Sequence, residues 1–337
     1  MGNLRKITKK TEFYILVTII LLVAIIELRS GQFMTGNNLV DMVRSFIIPA
    51  MFAIGAHMVL VSGGIDVSAP AIASLSMYVV TNEFLKADFQ GSVWVIYAVG
   101  AGIGLFLGAL NAVLIAKFKF PTLIVTLGTS SIFTGIMLGV FSAHEVPVPK
   151  PMLDHGKEKL FSATNSQLGI SSDMPVTIIL LIVLLIVAFI ILKYTMLGRG
   201  IYAVGGDEVS AERSGFNVFA IHFFVYCFVG LLAGITGIAR ASMMLNANPT
   251  NMLGMEMMAI AAVVLGGARV TGGTGTLTGT MLGVALITIM SNSLILLGIP
   301  TYWQRVFTGA IIIIGTGASA YRLLRSKKRL ANLQKEA

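Results

Sequence analysis

The chain has 337 residues, 56% of them hydrophobic and 12% charged, with a mean hydropathy of +0.88; soluble domains carry roughly a quarter charged residues, so this chain cannot cover a soluble surface. Its net charge of +9 would suit a nucleic-acid partner, but the basic residues flank apolar runs, with Arg5, Lys6, Lys9 and Lys10 before the first and Arg322, Arg325, Lys327, Lys328, Arg329 and Lys335 after the last. That placement marks cytoplasmic membrane flanks and excludes nucleic acid, while the single cysteine, Cys227, excludes an internal disulfide and a cysteine metal cluster.

Taken in chain order, the apolar runs predict an all-α polytopic transmembrane helical bundle, a single domain over residues 1–337. Ten spans are expected, at about 13–28, 46–62, 69–85, 92–116, 121–142, 175–195, 218–240, 256–268, 275–296 and 303–321, against the ~20 apolar residues that a bilayer core requires. The first is an uncleaved span, because no small-residue cleavage site follows Leu28. An even count starting inside also ends inside, and it divides the basic residues about two to one in favour of the cytoplasm. Segment 143–174, with Pro147, Pro149, Pro151 and His155, is predicted as an extracytoplasmic cap joining halves 13–142 and 175–321. The halves rhyme: Gly100, Gly102, Gly104 and Gly108 precede Asn111 in one, and Gly275, Gly279 and Gly283 precede Asn292 in the other. Such pairing suits two pseudo-symmetric halves with a substrate route along their interface. The same spacing also serves close helix packing, and the sequence leaves both readings open.

No Gly-x-x-x-x-Gly-Lys-Ser/Thr loop occurs, so any ATP site belongs to a partner. Gly-x-Ser-x-Gly is absent, and His57, His144, His155 and His222 lack metal-ligand spacing, so neither catalytic nor metal residues are predicted. Acids within the spans are few. Glu27 closes the first span, Asp66 follows Gly63-Gly64 at a junction, and Glu256 opens the eighth span, where a carboxylate suits the helix dipole. The mid-span acids of a stand-alone secondary transporter are therefore not expected. The spans hold no cluster of arginine or lysine and no ring of acids, which points to uncharged cargo. In the fifth span Thr126, Thr129, Ser130 and Ser131 are candidates for lining the route, their hydroxyls passing a polyol by exchanging hydrogen bonds. Helix-to-helix hydrogen bonding by the same hydroxyls is the alternative.

The cytoplasmic loop 196–216 contains a short helix with explicit ends. Asp207 is its N-cap, Glu208 sits in the first turn, Ala211 and Ser214 follow, and Gly215 supplies the left-handed stop. Two turns are too few to be stable alone in water, so this helix requires a partner surface.

These residues resemble the permease subunits of ribose and simple-sugar ABC importers, a family that also contains nucleoside and autoinducer-2 permeases. The resemblance rests on Ser62-Gly-Gly-Ile-Asp-Val-Ser68, on the run from Leu110 to Thr129, on Gly198-Arg-Gly-Ile-Tyr-Ala-Val-Gly-Gly206 with Ser214-Gly215, on Met258 to Gly267, and on Tyr302-Trp-Gln304. It covers nearly the whole chain and is specific for the family rather than for the substrate. Two departures stand out: Ala69-Pro70 replace the usual Val-Gly, and Asp207 replaces a common asparagine. The resemblance implies a multi-pass protein of the bacterial plasma (inner) membrane, with Asp207 to Gly215 as the coupling helix. Its implied partners are an ABC ATPase subunit that binds ATP and Mg, an extracytoplasmic solute-binding protein, and a second permease copy or paralogue. The chain itself would hold no cofactor. The implied cargo is ribose or another simple sugar first, a nucleoside or autoinducer-2 second.

Overall fold

A computed structural model describes residues 11–165 and 169–296, with isolated positions 298, 303, 306, 309, 310 and 313. The expected tenth span, 303–321, lies outside the described residues apart from five of those positions.

Seven described helices are long and apolar enough to cross a bilayer. They are α1 (Thr11–Ser30), α2 (Gly36–Val61), α4 (Val93–Ala112, continued by a π-helical turn Val113–Lys117), α5 (Thr122–Gly135, continued by a π-helical turn Ile136–Val140), α7 (Thr177–Tyr194), α10 (Val218–Met244) and α12 (Leu277–Leu296). Helix α3 (Ala69–Lys86) is less apolar because Ser74, Ser76 and Thr81 face the protein interior, each fully buried. Its Pro70 stands in the first turn, where a missing N–H costs nothing. Short helices α6 (Lys150–Lys157), α8 (Met196–Gly206) and α9 (Glu208–Arg213) are not spans.

Two expected spans need correction. The span placed at 46–62 begins ten residues earlier, at Gly36, because its polar first turns are held by other parts of the chain: Ser172 Oγ donates to Asp41 Oδ2 at 2.9 Å and Asn38 Nδ2 to the Phe33 carbonyl at 2.8 Å. The span placed at 256–268 is α11 (Met255–Leu265), whose 11 residues reach roughly 16 Å at 1.5 Å per residue, about half of a ~30 Å hydrocarbon core.

Segment 143–174 folds into its own small structure. Strand β1 (Val146–Pro147) pairs antiparallel with β4 (Asn246–Ala247), and β2 (Lys159–Asn165) pairs antiparallel with β3 (Ile170–Pro175). In the hairpin Ser162 Oγ and Lys159 Nζ donate to Asp173 Oδ1 at 2.6 and 3.2 Å, which holds that carboxyl below its ordinary range. The hairpin rests on the start of α2, with Gly36 against Ala163, whereas Gly205 at the end of α8 sits against the Val61 carbonyl at the other end of α2. The 26 residues of α2 separate these sites by roughly 39 Å, so the cap and α9 occupy opposite ends of the bundle.

The glycine stripes are packing surfaces. A Cβ added at Gly104 would strike the Gly230 carbonyl, and one at Gly234 would strike the Gly100 carbonyl, so α4 and α10 meet backbone to backbone. Gly279 and Gly283 of α12 approach Gly266 and Ala262 in the same manner. The expected route along the interface of the two halves meets an obstacle here, because α4 and α10 belong to different halves and the seam between them is closed. Elsewhere the halves interleave, with α10 on α2 and α3, and α11 and α12 on α2.

Candidate functional site

Helix α9 has the ends its sequence dictates. Asp207 is extended (φ −161°) and its Oδ1 accepts from Ser210 N at 2.7 Å; this bond and the hydroxyl beside it hold the Asp207 carboxyl below the usual range. At the far end Gly215 adopts φ +88°, and Phe216 N closes onto the Ala211 carbonyl at 3.1 Å. Ala211 alone is buried, packed in a cluster with Ile201, Val204 and Ile221, while Glu208, Val209 and Glu212 are exposed. The exposed residues of the helix thus include two acids, Arg213, Ser210 and the apolar Val209. Beside it opens a cavity of about 960 Å³ lined partly by Lys119, Phe120, Glu212 and His222.

A continuous chain of contacts runs from α9 into the membrane. Gly205 and Gly206 pack against Gly63, Gly272 and Gly273, and Gly273 N donates to the Val61 carbonyl at 2.9 Å. Tyr202 OH donates to the Gly275 carbonyl at 3.0 Å. From this glycine node the chain passes through an irregular segment, 62–68, whose backbone is held by side chains: Ile65 N donates to Thr122 Oγ1 at 3.1 Å and Val67 N to Thr126 Oγ1 at 3.3 Å, while Thr126 Oγ1 donates to the Ile65 carbonyl at 3.2 Å. Buried Asp66 accepts from Ser68 N and Oγ at 2.7 and 2.6 Å, and Asn111 Nδ2 of α4 donates to Ser68 Oγ at 2.8 Å. Irregular backbone persists inside a bundle only where such partners satisfy it.

The four hydroxyl residues singled out on the fifth span divide in two. Thr126 is fully buried and spent on segment 62–68, and Thr129, also buried, donates back to the Val125 carbonyl at 3.0 Å. Ser130 and Ser131 line a cavity of about 420 Å³ together with Thr134, Gly135, Leu253 and Glu256, although Ser131 Oγ also donates back to the Leu127 carbonyl at 3.1 Å. Ser131 is the middle residue of the apolar helix Thr122–Val140, so this cavity begins near mid-depth. Sequence reasoning missed Thr134 and Glu256. Glu256 reads as a cap at a membrane surface only if α11 is a full span, and its 11 residues show that it is not. The short apolar run between Gly254 and Gly266 was the available signal.

Apolar helices long enough to cross a membrane, a short capped helix with an exposed face at one end and a hydroxyl-lined cavity beside α5 fit a membrane permease component. The chain belongs to the family described as branched-chain amino acid transport system / permease component, whose profile matches residues 38–315. It is 31% identical over 305 residues to the ribose import permease protein RbsC of Haemophilus influenzae, covering 90% of this chain and 92% of that protein. It is 30% identical over 299 residues to RbsC of Escherichia coli K12, covering 89% and 90%, and 29% identical over 318 residues to the L-arabinose ABC transporter permease protein AraH of Azospirillum brasilense, covering 94% and 88%. No solved structure matches the chain. The protein is a multi-pass transport subunit of ABC permease type, not an enzyme.

Proposed function

We propose that the chain forms half of the pathway of an ATP-driven importer for a small neutral polyhydroxylated solute, ribose or another simple sugar. The observation that carries the reading is α9, a six-residue helix capped at both ends whose Glu208, Val209 and Glu212 are exposed among the described residues. A helix that short is held only by tertiary contact, and its free face suits the surface of an ABC ATPase subunit. Ribose and arabinose import permeases among the relatives favour sugar cargo. An extracytoplasmic solute-binding protein then docks at the opposite end, on the cap formed by 143–174. The ten-crossing topology with cytoplasmic termini follows from the charge distribution; α11 and the irregular residues before it together make the eighth crossing. The sequence-level rhyme of two pseudo-symmetric halves stays part of this reading.

The pathway we place on the open side of α5 rather than in the α4–α10 seam. An added Cβ at Gly128, Gly135 or Gly139 would meet no described atom within 4 Å, so this face of α5 is open, and a second permease copy facing it would enclose the route between the two copies. Ser130 and Ser131 then line the route, and Thr126 and Thr129 support it from behind. Cysteines at Glu208 and Val209 in a Cys227→Ala background should cross-link to a P-loop ATPase produced with the chain. Cross-links to no ATPase, with cysteines on α9 freely labelled in the assembled complex, would sink the reading.

A further inference from the structure

Glu256 is the wall shared by two cavities. On one side lies the α5 cavity with Ser130, Ser131 and Thr134; on the other lies a small pocket that Glu256 lines with Asp66 and Pro70. Its Oε2 accepts from Gly254 N at 3.0 Å, and among the described residues Oε1 takes no hydrogen bond. Because α11 is a half-length helix, this carboxylate stands beside the middle of α5 rather than at a membrane surface. A carboxylate at such depth is costly and is retained where it meets cargo or water. Capping alone does not account for it: Gly254 already supplies the left-handed entry to α11 (φ +93°), and the half-buried Glu256 side chain lines the α5 cavity, where a serine would serve equally well as a cap.

We infer that Glu256 is a specificity-determining residue, accepting hydrogen bonds from cargo hydroxyls at mid-membrane while Ser130, Ser131 and Thr134 exchange theirs, and repelling anionic solutes. A carboxylate is an acceptor only, so it matches hydroxyl donors and mismatches carboxylates and phosphates. The sugar part of this inference rests on the function proposed above; the exclusion of anions does not.

The test uses the full chain in proteoliposomes, carrying Cys227→Ala with Ser131→Cys or Thr134→Cys. Rates of reaction with a cationic and an anionic methanethiosulfonate are compared, each relative to a free thiol. With Glu256 present the cavity should prefer the cationic reagent by about tenfold, as a unit charge within several ångströms does at an intermediate dielectric. Glu256→Gln should reduce the preference to about twofold or less, whereas Glu256→Asp should retain most of it. An unchanged rate with a neutral maleimide shows that each variant keeps its cavity. D-ribose, L-arabinose or D-xylose should slow the neutral reaction with Glu256 present, and clearly less with Gln. A charge preference that Gln leaves unmoved, or protection that no sugar gives or that Gln does not weaken, overturns the inference. The charge arm requires neither ATPase nor uptake, so its success alongside absent ATP coupling would refute the proposed importer while leaving Glu256 as the anion barrier.

Discussion

Asp207 shows how one side chain sets a local element. Its carboxylate bonds to Ser210 N, and its pKa is depressed, so its support for α9 is present above the usual carboxylate range near 3.9 and is lost as pH falls through the lower folded value. Association of the permease with its ATPase should therefore be flat in pH from about 5 to 8 as far as this residue is concerned. Asp207→Asn, an equally good cap, should leave ATPase stimulation intact, and Asp207→Ala should weaken it; equal loss in both would show that charge rather than capping matters. Gly215 is the complementary case. Its φ of +88° lies where a β-branched residue is strained by roughly 1–2 kcal/mol, and among the described residues no atom would touch an added Cβ within 4 Å. Gly215→Val should thus uncouple ATP hydrolysis from uptake without unfolding the membrane domain, a combination that parallel assays of thermal stability and coupled transport would reveal. Both residues were legible from sequence because capping is a local property.

At the scale of elements, legibility falls as contacts become longer in range. Seven of the expected spans match described helices with all ends but one within about three residues, because each is bounded by its own polar flanks. The start of α2 was hidden because Asn37, Asn38, Asp41 and Arg44 read as loop until distant partners are placed, Ser172 of the hairpin for Asp41 and the Met243 carbonyl for Arg44. The β1–β4 pair, which brings Val146 opposite Ala247, has no local signature at all. Its neighbour Glu145 accepts from Asn246 and Asn248 at 2.6 and 3.2 Å, tying the outer end of α5 to the loop before α11. The glycine rhyme was visible, but its partners were not: Gly104 meets Gly230, which belongs to a helix whose glycines had not been singled out. Gly104→Val should push α4 from α10 and destabilise the bundle by several kcal/mol, an overpacking cost that backbone contact cannot relax; an unaltered unfolding temperature in detergent would contradict this packing. The link from α9 to α5 passes through Thr122 and Thr126. Thr126→Val keeps shape and removes both hydrogen bonds to segment 62–68, so ATPase assembly should survive while transport per ATP falls several-fold, with Thr126→Ser restoring it. Equal transport per ATP in all three proteins would show that the motion travels elsewhere.

On the scale of the whole molecule, the two ends of α2 separate two tasks. One end carries the cap and the other carries α9 with its glycine node, and the α5 cavity lies between them near mid-depth. This division is what an importer requires: delivery on one face, energy on the other, and a route that each can bias. It also predicts sidedness. In a Cys227→Ala background, a cysteine within 159–165 should react with an impermeant reagent from outside intact cells, and one at Glu208 only after the membrane is opened; the reverse pattern would invert the topology.

The most direct test of the central claim is ATP-dependent uptake by the reconstituted complex of this permease, its ATPase and its solute-binding protein. Sugars, nucleosides and charged amino acids should be offered in parallel, with and without a transmembrane ion gradient. Uptake of a neutral polyhydroxylated solute that requires ATP, ignores the gradient and disappears with Gly215→Val is the predicted result. Gradient-driven uptake without ATP, or ATP-driven uptake of a charged amino acid with no response to any neutral polyol, would contradict it.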